Sequence, residues 1–418
     1  MTDDIARSFV QLALAIDRHR PGYVDAYYGP PAWRARAAAD GPRPLAELEL
    51  EREALQRAIA GDLGMERQRR GHLVGQLRAM QATLAILAGE TMSVVAEAET
   101  LYDISAEWVD EASFEDCRRT LDELLPGRGP LVERLAAGKA AAQVAVEPNA
   151  PALAEIVREL GRRARDRFAL PRGESLEIRL TQGRPWSAYN WYLGELRSRI
   201  EINVDRPIDI LRLVHLVAHE GYPGHHTDLA IKEARLVRRR GWLEHAVTLL
   251  ESPVCVVAEG IATRGLDALL SRDELFAWCA AEVFPRAGLS GLDPRREHAI
   301  EAACQKLLGV RDNAALLRHV ERAADHDVMA YLRHHGLCTE QAAAQALRFI
   351  DSARSYVFTY RQGGALVDAL LAAEPAPACW FARLLEEPVT PSQLRAWIRD
   401  RSQGAAPDRG AAHRGAAR

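Results

Sequence analysis

Apolar residues recur at helical intervals through most of this chain. A spacing of three and four positions predicts helices over residues 5–17, 45–60, 66–88, 130–143 and 151–168, and the same pattern returns after Pro207 and continues almost to residue 400. Glycine and proline interrupt it at 288–294, at Gly336 and at 386–391, where we expect breaks. A largely helical scaffold is therefore the main constraint on the fold.

One region, after Pro171, shows the alternation of apolar and polar residues that is typical of strands. Its three runs, at 175–181, 186–193 and 198–204, predict a small antiparallel sheet. The expected fold class is therefore mainly α with a small antiparallel β-sheet. We expect an N-terminal helical scaffold over 1–170, a catalytic region over 171–402 that continues the same fold, and a disordered Gly-, Ala- and Arg-rich tail over 403–418. The Pro-, Gly- and Tyr-rich stretch at 21–31 should be an ordered connection.

Composition excludes several classes of partner. The 54 basic and 58 acidic residues give a net charge of -4, without the clustered positive excess of nucleic-acid-binding proteins. The sequence lacks the roughly 18 to 20 uninterrupted apolar residues that a membrane helix needs. The 6 cysteines are dispersed without a CxxC pair, which indicates reduced thiols. We therefore expect a soluble, cytoplasmic protein that binds neither nucleic acid nor membrane.

The residues that carry chemistry lie between 208 and 265. A helix that begins after Pro207 is apolar on most of its faces and reaches His219 and Glu220 at its end. Burying an imidazole beside a carboxylate is unfavourable unless another group compensates, and a divalent cation does so strongly. This segment therefore predicts a metal site.

The spacing departs from the HExxH zinc helix, in which the two histidines lie four residues apart. Position 223 is proline, and in a regular helix His225 would lie about 240° around the axis from His219. Pro223 and Gly224 distort helices, and a two-residue bulge would return His225 to the face of an ordinary second ligand. We therefore expect His225 as the second ligand, with His226 as the alternative or as an outer partner.

A catalytic zinc site with two histidines needs a third protein ligand and an open position. Glu259 is the best candidate because it lies in an apolar helical stretch over 254–262, where an unpaired carboxylate would be costly. Glu244 and Glu251 are weaker alternatives near polar or turn residues. His215, one turn before His219, is expected to pack or to support a ligand.

The sequence HEGYPGHH at 219–226, followed by EGIA at 259–262, resembles the HExxPGH and EGxA motifs of the bacterial family catalogued as domain of unknown function 885. That family is grouped with the gluzincin metallopeptidases. The resemblance extends over about 20–371, including 189–192, 202–203, Tyr356, Tyr360 and Gly363, but Ile261 departs from it because a tryptophan is more usual there. It implies a gluzincin-like architecture, with zinc ligands at His219, His225 and Glu259 and with Glu220 as general base.

The expected mechanism is hydrolysis by a zinc-activated water that gives its proton to Glu220. The stretch 354–364 supplies donors for the oxyanion; Tyr360 is favoured, with Tyr356 and Arg354 as alternatives, and core packing is an equally open role for both tyrosines. In gluzincins a substrate peptide pairs with a sheet edge beside the metal helix. Asn190 and Tyr192 would then contact substrate, unless they only cover the core.

The sequence thus predicts a zinc peptidase acting on short peptides or on a C-terminal residue. A zinc-dependent amide hydrolase or biosynthetic enzyme with a non-peptide substrate is the first alternative. A metal-free helical binding module with a vestigial site is the second.

Overall fold

The computed structural model describes residues 2–147, 149–184, 186–372 and 377–402. The tail predicted at 403–418 lies outside these residues. Helices dominate and the sheets are small, which confirms the fold class as mainly α with small sheets. Within the described residues, no helix is both long and apolar enough to cross a membrane.

The helices of the first part of the chain pack around two apolar cores. They are α1 (Thr2–His19), α2 (Pro31–Asp40), α3 (Leu45–Gly61), α4 (Arg67–Leu87), α5 (Val94–Leu101), α6 (Ala112–Leu124), α7 (Leu131–Ala142) and α8 (Ala150–Arg167). The periodicity predicted α1, α3, α4, α7 and α8. It did not give the bounds of α2, α5 and α6, and for α2 the reason is plain, since this helix buries none of its residues and lacks an apolar stripe.

The later helices fall into two groups: those within 294–353 extend one of these two cores, and the others enclose a third core together with α8. They are α9 (Ile210–Glu220), α10 (His225–Lys232), α11 (Pro253–Leu269), α12 (Arg272–Trp278), α13 (Phe284–Arg286), α14 (Pro294–Lys306), α15 (Leu308–His319), α16 (Asp325–Gly336), α17 (Glu340–Ala353), α18 (Thr359–Ala372), α19 (Pro377–Glu386) and α20 (Pro391–Ser402). The predicted breaks fall between α13 and α14, at the end of α16, and between α19 and α20.

The strands form three small sheets. β1 (Val24–Tyr27) pairs with β7 (Val247–Leu249), and β2 (Gln143–Val144) pairs with β6 (Ile208–Asp209), both antiparallel. The third sheet contains β3 (Ser175–Thr181), β4 (Ala188–Gly194) and β5 (Arg197–Asn203) in the order β3-β5-β4. β1 lies in the connection at 21–31, so that this stretch contains a strand that the sequence did not reveal.

The three-stranded sheet is antiparallel only in part. β4 and β5 are antiparallel, as predicted, whereas β3 and β5 are parallel. A two-residue turn with positive φ at Glu195 (55°) and Leu196 (62°) joins β4 to β5 as a hairpin. β3 therefore pairs with the free edge of β5, and β4 is left at the opposite edge of the sheet.

Helices α11 and α18 approach each other closely through two glycines. A Cβ on Gly260 would lie 2.4 Å from the carbonyl oxygen of Gly363, and a Cβ on Gly363 would lie 2.2 Å from the carbonyl oxygen of Val256. Any side chain at either position would overlap backbone atoms. This contact fixes Glu259, the neighbour of Gly260, against the segment that leads into α18.

We expect Gly363→Ala to lower the free energy of unfolding by at least about 1–3 kcal/mol, because the added methyl forces the two helices apart. Urea denaturation followed by circular dichroism measures the change. Gly61→Ala is the matched control, since a Cβ there meets nothing within 4 Å. Equal stability of the two variants would contradict the close crossing.

Candidate metal centre

Helix α9 brings His219 and Glu220 into the interior. Asp209 caps its N-terminus, where its carboxylate accepts hydrogen bonds from the backbone N–H groups of Leu211 (2.9 Å) and Arg212 (3.0 Å). Most of the helix surface is buried in the apolar core. The pattern of buried apolar residues along α9 therefore determines where His219 and Glu220 lie inside the protein.

Between α9 and α10 the helix is interrupted rather than kinked. The Gly224 N–H donates to the carbonyl oxygen of Ala218 at 2.9 Å, so that the bond spans two residues more than a helical i to i-4 bond. A Cβ on Gly224 would lie 1.9 Å from the carbonyl oxygen of His219, which explains the glycine. Instead of a bulge within one helix, the chain has two helices: α9 ends at Glu220, and α10 begins at His225.

His219, His225 and Glu259 converge. Glu259 Oε2 lies 3.4 Å from His219 Nε2, and Glu259 Oε1 lies 3.8 Å from His225 Nε2. The imidazole rings are perpendicular, with centroids 4.8 Å apart. One ligand atom from each residue falls within 4.8 Å of the other two, which is the size of a cation site. The structure thus brings together the three residues that the sequence predicted as ligands.

These residues fit a metal ion chemically. Glu259 is only 7% exposed, and its Oε2 has no hydrogen-bond partner among the described residues. A buried carboxylate oxygen without a partner is costly unless a cation compensates it. Two imidazoles and one carboxylate are a ligand set that zinc and related divalent ions accept, and three protein ligands leave a position for water.

A second group of ligating side chains contains Glu115, His334 and His335. Two of its members are exposed and His335 is partly buried, so that water can solvate the carboxylate without an ion. The buried Glu259 distinguishes the first group, which is therefore the better candidate for a metal centre.

The electrostatics of the site differ between the two imidazoles. For His219, burial is outweighed by the neighbouring carboxylates of Glu259 and Glu220, which raise its pKa. Burial lowers the pKa of His225 to about 4, so that its ring is neutral at pH 7. Burial by itself would raise the pKa of Glu259, but the adjacent His219 and His225 lower it overall. An ionised carboxylate beside a neutral imidazole is the state that binds a cation.

Glu220 lies beside the ligands and is 8% exposed. Burial, opposed by the His219 charge, raises its pKa to about 7. Its backbone carbonyl oxygen accepts a hydrogen bond from Asn190 Nδ2 at 2.6 Å, which ties β4 to the end of α9. A carboxylate with a pKa near neutral pH is suited to accept and return a proton. Asn190 contacts the site through this backbone bond.

His226 is engaged elsewhere. Its side chain is fully buried, with Nδ1 2.8 Å from Ser198 Oγ and Nε2 2.8 Å from Glu174 Oε2. Since both ring nitrogens have partners, His226 holds α10 against the sheet. The alternative in which His226 replaces His225 as ligand is not supported by this geometry.

Tyr356 contacts the carboxylate ligand directly. Its hydroxyl donates to Glu259 Oε1 at 3.3 Å, and its ring packs at right angles to Tyr360, with centroids 5.5 Å apart. Burial raises the pKa of both phenols, so that both stay protonated at neutral pH. Tyr356 therefore orients the ligand, and Tyr360 lies next to it.

Two other predicted residues are not brought to the ligands. The Tyr192 hydroxyl donates to Glu233 Oε2 at 2.5 Å, and Arg354 Nε donates to Glu97 Oε1 at 2.9 Å. These hydrogen bonds give both side chains partners other than the metal ligands, and the substrate role of Tyr192 and the oxyanion role of Arg354 stay predictions.

The weaker ligand candidates also have other partners. Glu244 forms a buried bidentate pair with Arg69, at 2.5 and 2.9 Å, and Glu251 pairs with Arg20. His215 stacks on His298, with ring centroids 6.4 Å apart. This leaves Glu259 as the third ligand candidate.

Sequence reasoning missed Asp25. The Tyr189 hydroxyl donates a hydrogen bond to Asp25 Oδ1, and the charges of Asp25 and Glu259 act on the pKa of Glu220. Asp25 lies in the Tyr-rich stretch at 21–31, which the sequence predicts only as an ordered connection. The signal that could have revealed it is an isolated acid among apolar and aromatic residues.

Comparisons with known proteins show similarities of limited extent. No family model matches the chain, so the resemblance to domain of unknown function 885 stays a prediction. The ribosomal RNA small subunit methyltransferase A of Synechococcus sp. (strain CC9311) is 36% identical over 133 residues, which cover 28% of this chain and 47% of that protein. The chain thus spans about half of this relative.

Among solved structures, a lipoprotein candidate from Colwellia psychrerythraea has a TM-score of 0.52 at 14% identity, covering 85% of this chain and 66% of that one. At this identity the likeness shows the fold alone. The M32 carboxypeptidase of Deinococcus radiodurans R1 has a TM-score of 0.41 at 13% identity, covering 96% of this chain and 95% of that one. Nothing about function follows from a likeness of that size.

The two neighbouring histidines should differ in their effect on metal binding. We expect His225→Ala to lose the ion during dialysis, because it removes a ligand atom, and His226→Ala to retain it. His226→Ala should instead lower stability by about 1–3 kcal/mol, because it leaves Ser198 and Glu174 buried without their partner. Metal analysis and thermal denaturation of both variants measure these effects. The reverse result would exchange the two roles.

Proposed function

We propose that this protein is a zinc-dependent hydrolase that cleaves peptide bonds in short peptides. The observation that carries the proposal is the convergence of His219, His225 and Glu259 beside Glu220. Metal-assisted hydrolysis needs three protein ligands that leave one position open, and a nearby carboxylate that can accept a proton. Glu220, with a pKa of about 7, is such a carboxylate.

The chemistry divides between the ion and the protein. When bound, zinc supplies Lewis acidity and lowers the pKa of a water molecule towards about 7. Glu220 accepts the proton of the attacking water and then donates it to the leaving amine. Because Glu220 is buried at the end of α9, its carboxylate is held at one place relative to His219.

Two tyrosines are suited to bind the developing oxyanion. Tyr356 and Tyr360 lie on the Glu259 side of the site, and both hydroxyls remain donors at neutral pH because burial raises their pKa. Tyr356 already donates to Glu259, which leaves Tyr360 as the favoured oxyanion donor. The role of Tyr356 is then to orient the ligand.

The position of β4 favours a peptide over a compact amide as substrate. β4 is an edge strand of its sheet, and Asn190 connects it to Glu220. An extended peptide can pair with such an edge through backbone hydrogen bonds. Trp191 and Leu193 on this strand are 36% and 49% exposed, which provides apolar surface for substrate side chains.

A non-peptide amide remains the alternative substrate, and hydrolysis of small amides without hydrolysis of peptides would favour it. A vestigial binding module would bind no zinc.

We also propose a cytoplasmic location, in keeping with 6 free cysteines.

Glu220→Gln should keep zinc and lose turnover by at least about 100-fold, because an amide cannot accept the proton. Zinc analysis and hydrolysis of a tripeptide library by the zinc-loaded protein measure the two properties. Glu195→Gln is the matched control, since its side chain is 77% exposed in the β4–β5 turn, and it should behave as wild type. Full activity of Glu220→Gln would exclude Glu220 as the base.

A further inference from the structure

Asp25 lies at an irregularity in β1 that directs its side chain out of the strand pairing. Val24 pairs with Leu249 and Ala26 pairs with Thr248, so that Asp25 is an extra residue with no partner on β7. Such a β-bulge reorients the side chain of the inserted residue and is frequent next to active sites. Val24 and Ala26 are buried, whereas Asp25 remains partly accessible.

Within the described residues, the Asp25 carboxylate is held from one side only. The Tyr189 hydroxyl donates to Oδ1, and Tyr189 is itself packed between Trp186 and Trp191, at ring centroid distances of 5.7 and 4.7 Å. This aromatic stack fixes the orientation of the hydroxyl. The second carboxylate oxygen is left for another donor.

The charges around Asp25 are negative. Asp25 adds to the carboxylates of Glu220 and Glu259, and its charge acts on the pKa of Glu220. Within the described part of the chain, no lysine or arginine forms an ion pair with any of these three carboxylates. The two histidines, and the cation that they would hold, lie at Glu259.

Three cations on neighbouring helices are paired with other acids. Arg264 Nη2 lies 2.7 Å from Asp368, Arg361 pairs with Asp312, and Lys232 Nζ lies 2.6 Å from Asp228. A substrate that presented a carboxylate at Asp25 would meet repulsion, whereas an ammonium group would find an acceptor without a competing partner.

We propose that Asp25 binds a primary ammonium group of the substrate, which makes the protein a hydrolase of peptides with a free amino terminus. This inference rests on the proposed function and names its substrate class. A lysine side chain offers the same ammonium chemistry, so the experiment separates the two sources. The Asp25 carboxylate binds the substrate ammonium group, while Glu220 accepts and returns the proton. Tyr189 is a positioning residue for Asp25.

The test compares three tripeptides on the zinc-loaded protein: Ala-Leu-Ala, N-acetyl-Ala-Leu-Ala and N-acetyl-Lys-Leu-Ala. We expect wild type to prefer the free amino terminus over the acetylated peptide by at least about 30-fold in kcat/KM, because a partly buried charge pair is lost on acetylation. Asp25→Asn keeps an acceptor for the Tyr189 hydroxyl and removes the charge. This variant should therefore hydrolyse the free and the acetylated peptide with similar kcat/KM. Preference for the lysine peptide alone would reassign the ammonium to a side chain.

Binding provides a readout that does not depend on turnover. Calorimetry with leucine hydroxamate and N-acetyl-leucine hydroxamate should show weaker binding of the acetylated compound to wild type and equal binding to Asp25→Asn. Asp40→Asn, an exposed position on α2, is the matched control and should retain wild-type discrimination.

The outcomes separate the two proposals. If wild type hydrolyses none of the peptides, the proposed function fails, and the hydroxamate affinities still decide the role of Asp25. Equal use of free and acetylated compounds by wild type would overturn the inference while leaving the peptidase proposal intact. A loss in Asp25→Asn that is the same for both compounds would also overturn it, because Asp25 would then only maintain the structure.

Discussion

The site depends on the burial of one carboxylate. Glu259 lies inside an apolar helix and faces two imidazoles, an arrangement that is unfavourable without a cation and favourable with one. The surrounding structure keeps these groups in place: the glycine contact between α11 and α18 sets the position of Glu259, and the interruption after Glu220 sets that of His225. Packing of the apolar cores therefore fixes the positions of Glu259 and His225.

Partners of the ligands extend the site outward. Tyr356 orients Glu259, and His226 ties α10 to the sheet through Ser198 and Glu174. Such contacts reduce the freedom of the ligands before an ion binds and raise affinity for it. The same sheet carries β4, so that the proposed substrate edge and the metal helices belong to one hydrogen-bonded unit.

The convergence of His219, His225 and Glu259 could be predicted because its signals are local. His219 and Glu220 lie at the end of an apolar helix, and Pro223 and Gly224 indicate an interruption after it. Glu259 is an isolated acid in an apolar stretch. The partners of Tyr192 and Arg354 could not be predicted, because their pairs depend on tertiary packing. The parallel pairing of β3 with β5 was missed for a similar reason, since the β4–β5 turn decides which edge of β5 stays free.

The separation of Asp25 from the ligands along the chain has a consequence for how this protein can change. The strand that carries Asp25 belongs to the first part of the sequence, and its bond to Tyr189 joins residues 164 positions apart. The reactive groups at 219–259 and the proposed selectivity determinant are thus encoded separately. Substitutions in β1 could redirect the choice of peptide while the hydrolytic machinery stays intact, which gives evolution an independent means of adjusting specificity.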